Sequence, residues 1–184
     1  MVRIDRVVTR GGDGGETSLG NGARISKDTP RIEAIGAVEE ANAAIGLLRL
    51  QTTAFPTGDV MLARIQNDLF DLGADLSVPG EGGERLRLAD ATVLRLEAEI
   101  AEMNAALPPL TSFILPGGTP AASHAHFART SVRRAERALV RVSAGEAINP
   151  TMLRYLNRLS DHLFVLGRML NAGADVLWVP GANG

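Results

Sequence analysis

Apolar residues recur at helical spacing in five stretches of this chain, and breaks rich in proline and glycine separate them. In the first, Ala34, Ala37, Val38, Ala41, Ala44, Ile45 and Leu48 form one stripe, with Thr29 expected as N-cap and Pro30 at the first helical position. The second begins near Phe55 and stops at Pro79-Gly80, and a loop follows it. The third opens at Asp90, its expected cap, and ends at Pro108-Pro109. Thr119-Pro120 and Asn149-Pro150 repeat the cap-plus-proline signal, which predicts a fourth helix over 120–144 and a fifth ending near Asn171. Between the third and fourth, FILPGGTP reads as a short extended segment and a turn. Residues 1–28 are glycine-rich and polar without a sustained period and read as an extended loop, and residues 173–184 read as a loose tail. No strand alternation is convincing. The pattern predicts a single all-α domain, a five-helix up-and-down bundle over 29–172.

Composition narrows the function classes. The chain has 184 residues, 45% of them apolar, and a net charge of -2, so it can bury a core and is not a disordered tail. Aromatics are only 4%, and the charge balance is not that of a nucleic-acid binder. No cysteine is present, which excludes disulfides, thiolate metal sites and thiol nucleophiles. No run approaches the roughly 20 apolar residues of a membrane span, and the N-terminus lacks an apolar signal core. The expectation is a soluble cytoplasmic protein, without nucleic acid or membrane as partner.

Against that mildly acidic background stands FARTSVRRAERALVR, with Arg129, Arg133, Arg134, Arg137 and Arg141 within thirteen positions. Residues four apart on a helix are neighbours, and like charges there repel by roughly 0.2–0.5 kcal/mol per pair. A solvated face with ion pairs is the ordinary reading of such a row. One carboxylate, Glu136, cannot neutralise five guanidinium groups, whereas a polyphosphate can, through forked hydrogen bonds.

A second anion-binding candidate is TRGGDGGETS, residues 9–18. Its small residues let backbone N–H groups approach an anion, and Arg10, Thr17 and Ser18 add side-chain donors. Glu16 stands where a Walker A loop needs lysine, and no strand precedes it, so neither common nucleotide fingerprint is met. A flexible loop is the alternative. Lys27 is either a further phosphate donor or an exposed lysine. On the last helix Leu156, Leu159, Leu163, Leu166 and Leu170 share one side, with Asn157, Asp161, Arg154 and Arg168 opposite. Asp68, Asp71 and Asp75 share a face of the second helix, where surface pairing of Asp68 with Arg64 is expected. His124 and His126 point to different sides of their helix, and no histidine metal site, nucleophile or general base is evident.

Five stretches in register, TRGGDGGETSLG, RIEAIGAVEEANAAIGLLR, IQNDLFDLGADL, FILPGGTPAASHAHFARTSVRRAER and YLNRLSDHLFVLGRML, resemble the ATP:cob(I)alamin adenosyltransferases of the propanediol-utilisation type. The resemblance implies a helical bundle that assembles as a homotrimer with its active site between subunits. It implies transfer of the 5′-deoxyadenosyl group of ATP to the cobalt of cob(I)alamin, with release of triphosphate and magnesium in attendance. A cobalamin reductase and an adenosylcobalamin-dependent acceptor enzyme are the implied partners. Carried over position by position, Thr9, Arg10, Gly11, Gly12, Thr17, Ser18 and Lys27 bind ATP from the N-terminal loop. Arg133, Arg134, Glu136, Arg137 and Asn157 bind it from the helices, and Arg129 and Arg133 act in catalysis. Phe113 matches an aromatic beneath the corrin ring, and Glu39 an interface residue that pairs with Arg129 of a neighbour; the metal ligands are not implied. The sequence departs from the family at Arg10-Gly11, where the loop usually reads Lys-Thr, and at Glu39, where the family carries Asp. Such a reaction explains the missing nucleophile, because reduced cobalt supplies its own.

Overall fold

The computed structural model describes residues 7–80 and 85–182. Its five helices are α1 (Pro30–Arg49), α2 (Pro56–Leu76), α3 (Asp90–Ala105), α4 (Pro120–Ser143) and α5 (Pro150–Leu170). Proline opens every helix but α3, where its missing N–H breaks no intrahelical bond. Thr119 caps α4 by accepting from the Ala122 N–H at 3.1 Å, and Asn149 caps α5 by accepting from the Thr151 N–H at 3.0 Å. The other two expected caps differ. Thr29 turns its hydroxyl back to the Ser26 carbonyl, and Asp90 lies inside α3, where its carboxylate takes Arg154 of α5 at 2.6 Å.

The helices pack in the lateral order α2, α1, α4, α5, α3. Their facing stripes make one core, in which Leu48, Leu62, Ile65, Leu72, Leu96, Leu139 and Leu159 are wholly or almost wholly buried. At 25 cal/mol per Å², each fully buried leucine contributes roughly 2 kcal/mol, and together these stripes fix which face of each helix is left for chemistry.

Two segments differ from the sequence expectation. The N-terminal loop contains an antiparallel pair, β1 (Glu16–Ser18) with β2 (Arg24–Ser26), in the register Glu16↔Ser26, Thr17↔Ile25, Ser18↔Arg24. Asn21-Gly22 makes its turn: Gly22 adopts φ +87°, and Asn21 accepts from the Ala23 N–H at 3.0 Å. The Gly20 N–H then docks the hairpin on the Ser77 carbonyl at the end of α2, at 2.9 Å. The segment expected as a loose tail turns back at Ala172 and Gly173, both at positive φ, where the Gly173 N–H reaches the Arg168 carbonyl. It then pairs Leu177 with Ile114, and the Leu115 and Trp178 N–H groups donate to the Val176 and Phe113 carbonyls at 2.7 and 2.8 Å. No helix of the described residues is long and apolar enough to cross a membrane.

Candidate active site

The hairpin shapes the glycine-rich loop from below. Lys27 donates its ammonium to the Gly12 carbonyl at 2.8 Å, and Arg24 donates to the Gly11 carbonyl at 2.7 Å and to the Ser18 hydroxyl at 3.3 Å. A Cβ at position 12 would stand 2.9 Å from the Lys27 ammonium nitrogen, so glycine is what permits this approach. Arg10 holds φ +60° and leaves its side chain exposed, as is Thr9. Thr17 is half-buried opposite Ile25. The loop thus gathers three cations, Arg10, Arg24 and Lys27, with three hydroxyls and a tightly turned backbone. Nothing in the sequence marks Arg24, because its role depends on a pairing that three-residue strands do not announce.

The arginine row divides. Arg134 faces α1, where it pairs with Glu40 and lies 3.9 Å from Glu33. Glu136 is engaged by Asn157 of α5, whose amide donates to it at 3.0 Å, fixing α4 against α5. Arg137 donates to the Arg133 carbonyl at 3.2 Å. Among the described residues, Arg129, Arg133, Arg137 and Arg141 form no ion pair. Burial, and then the charge of Arg133, lower the Arg129 pKa from its ordinary value, and its guanidinium carbon stands 5.9 Å over the Phe164 ring. The row is therefore a local excess of positive charge that the chain leaves unneutralised.

Phe113 is 76% exposed, with its ring centroid 6.0 Å from that of Trp178. Leu115, Val176, Leu177 and Val179 extend this apolar surface. In the sequence Trp178 is marked only by VLWV, an apolar run inside a glycine-rich end. Glu39 lies exposed on a groove of about 650 Å³ between α1 and α2, with Ile35, Asn42, Gln66 and Phe70 along its walls. No residue of α4 lines this groove, no ion pair among the described residues joins Glu39 to Arg129, and no hydrogen bond or ion pair among them joins residues 9–27 to the arginine row. Surface pairing of Asp68 with Arg64 is not found. Asp68 turns inward to Arg95 and the Tyr155 hydroxyl, the latter at 2.8 Å, while Arg64 takes Glu99 at 2.8 Å. Asp75 is buried as well, on Arg87 and the Leu88 N–H.

The sequence model of the cobalamin adenosyltransferase family matches residues 7–170, which includes the glycine loop and both helices of the arginine face. The chain belongs to the cobalamin adenosyltransferase family. It is an enzyme of the corrinoid adenosyltransferase class. A cobalamin adenosyltransferase of Cupriavidus metallidurans is 50% identical over 179 residues, 96% of this chain and 95% of the relative. A corrinoid adenosyltransferase of Mycobacterium tuberculosis is 47% identical over 188 residues, 99% of this chain and 97% of the relative. Among solved structures, a PduO-type ATP:corrinoid adenosyltransferase from Lactobacillus reuteri, a phenylalanine-to-histidine variant complexed with cobalamin and ATP, superposes with a TM-score of 0.90. It is 33% identical and covers 95% of this chain and 97% of its own. An arginine-to-lysine variant of the same protein complexed with ATP gives a TM-score of 0.88 at 34% identity, covering 94% of this chain and 100% of its own. In this cobalamin adenosyltransferase the cationic and hydroxyl groups thus fall into two sets that no hydrogen bond or ion pair among the described residues joins, and the apolar Phe113–Trp178 surface lies apart from both sets in the contacts it makes.

Proposed function

We propose that the chain transfers the 5′-deoxyadenosyl group of ATP to the cobalt of cob(I)alamin in a site completed by a neighbouring subunit. The observation that carries this reading is the unneutralised row of Arg129, Arg133 and Arg137 beside the Glu136–Asn157 clasp. The cobalt electron pair attacks C5′, the Co–C bond forms, and the C5′–O bond breaks with its electrons leaving on triphosphate. The protein supplies no nucleophile and no base; its work is to hold the charge that grows on the leaving group. Arg133 and Arg137 do this from the helix, and Arg10, Lys27 and the Gly11 and Gly12 backbone from the loop. Thr9, Thr17 and Ser18 add hydroxyl donors, and Arg129 stands at the edge of the row.

Separation of the loop from the row within one chain supports a site shared between copies, and a homotrimer closes such a heterologous contact into a ring. In that ring Glu39 of one copy meets Arg129 of the next. Phe113 forms an apolar floor under the corrin and keeps water from the lower face of cobalt. Among the described residues no three carboxylate or imidazole groups converge on one point, so the donor set does not fit a protein cage for magnesium. Magnesium is proposed to arrive with ATP, ligated by phosphate oxygens and water.

Anaerobic incubation with ATP and chemically reduced cobalamin tests the reading. Appearance of the Co–C absorbance with stoichiometric triphosphate is expected. ATP binding without a Co–C product would contradict it and favour a nucleotide sensor.

A further inference from the structure

Where α4 meets α5 beneath the C-terminal segment, more polar atoms are buried than are satisfied. His126 is 2% exposed, and neither ring nitrogen has a hydrogen-bond partner among the described residues. Arg129, one helical turn on, buries its Nε without a partner as well. Buried groups of this kind are rare in native structures, because each gives up its hydrogen bonds to water and regains none. A leucine would fill the same slot without that cost, so packing alone does not account for an imidazole here.

Phe164 of α5 touches both residues. Its ring lies edge-to-face with His126, centroids 6.3 Å apart, and carries the Arg129 guanidinium over its face. Gly167 makes room for the histidine: a Cβ there would stand 3.4 Å from the His126 Nε2. The charges acting on the imidazole are Arg129 from its own helix and Asp175 from the C-terminal segment. Arg168, beside Gly167 on α5, is itself held by Asp175 at 2.8 Å. Burial first, then Arg129, press the His126 pKa below the ordinary imidazole value, and Asp175 only partly opposes them. The ring is therefore neutral at pH 7.

We propose that neutral His126 is a positioning residue: wedged between α4 and α5, it holds Phe164 edge-on, so that the ring face orients Arg129 in the phosphate site. Compared with leucine, imidazole adds an aromatic edge of fixed direction and a charge acquired on acidification. Protonation puts a second cation one turn from Arg129 in the same dry pocket, and the two repel. Acidification then disorders Arg129 before it unfolds the helix pair. The inference rests on the assignment of Arg129 made above.

The test compares adenosylation by the wild-type protein, Arg129→Ala and His126→Leu as a function of pH. Arg129→Ala is expected to be impaired at every pH. At pH 7.5 His126→Leu is expected to lose about tenfold in kcat, equivalent to ~1.4 kcal/mol, with KM for ATP little changed. On acidification past the ordinary imidazole range, the wild-type rate should fall more steeply than that of His126→Leu, so the two converge. Should His126→Leu fail to fold, His126→Gln carries the same comparison, with an amide that does not titrate. A histidine variant with wild-type kcat and an unchanged acid limb, beside an impaired Arg129→Ala, overturns the proposal even if its Tm is lower. Wild-type kinetics in Arg129→Ala instead overturn the assignment of Arg129 itself.

Discussion

Arg133 stands exposed on α4 with no carboxylate partner among the described residues, and it helps to lower the pKa of Arg129 beside it. A cation left in this state costs the fold little to remove. Arg133→Ala should therefore unfold at nearly the wild-type temperature while losing about a hundredfold in kcat, the scale of one donor to a developing oxyanion, roughly 3 kcal/mol. Near-normal turnover at saturating ATP would remove Arg133 from the proposed mechanism. Phe113 poses a different residue-scale problem, since so exposed an aromatic gains little from its own chain beyond Trp178. Phe113→Ala should slow Co–C formation and leave ATP affinity nearly intact. A lower Tm with unchanged adenosylation kinetics would reduce the residue to an anchor for its turn. The two residues also differ in how they could be read. Arg133 is conspicuous in a row of charges, whereas the partner of Phe113 lies 65 positions away and only the folded chain puts Trp178 against it.

Between the elements, the informative contacts are buried ionic ones. Glu99 of α3 joins His162 of α5 at 2.9 Å and Arg64 of α2 at 2.8 Å, tying three helices at one carboxylate. Burial raises the Glu99 pKa, but His162, through its hydrogen bond and charge, and then Arg64 and Arg95 outweigh that and hold it below the ordinary carboxylate value. A lowered native pKa adds stability that is complete above the unfolded value and vanishes as pH falls through the native one. Glu99→Gln should thus cost about 2 kcal/mol at pH 7 and progressively less below pH 4, as measured by urea unfolding. An equal cost at both ends would mean that shape, not charge, holds the three helices. Asp68 works the other way: desolvation leads its raised pKa, so its ionisation weakens the native state as pH rises through the carboxylate range. None of this was visible along the chain. Asp68 and Arg64 are four apart on one helix and look like a surface pair, but α3 supplies Arg95 from the other side and draws the carboxylate inward. The helices themselves were legible because proline and capping residues mark their starts and long apolar stripes mark their faces. The hairpin was not, because three residues per strand are too few to establish an alternating period.

For the whole molecule, the geometry divides the candidate site into a loop half beside the α1–α2 groove and an arginine half on α4 and α5. The sequence displays both halves but not their separation, since order along a chain does not say which surfaces one copy can bring together. Glu39, on the groove, and Arg129, at the edge of the row, are proposed to meet only between copies. A double-mutant cycle on Glu39→Ala and Arg129→Ala, read by the stability of the proposed trimer and by adenosylation rate, should show coupling above about 1 kcal/mol, beyond the range of exposed pairs. Additive effects on both readouts would mean that the pair does not form. The central claim, adenosyl transfer in a site built from two copies, is tested most directly by complementation. Lys27→Ala damages the loop half and Arg133→Ala the arginine half, and each protein alone should form almost no Co–C bond under anaerobic assay with ATP and reduced cobalamin. Co-expressed and assembling at random into the proposed trimer, they should regain about a quarter of wild-type activity, because about three rings in four are mixed and each mixed ring has one interface in three that joins two intact halves. Activity no greater than the sum of the two separate variants would contradict a shared site.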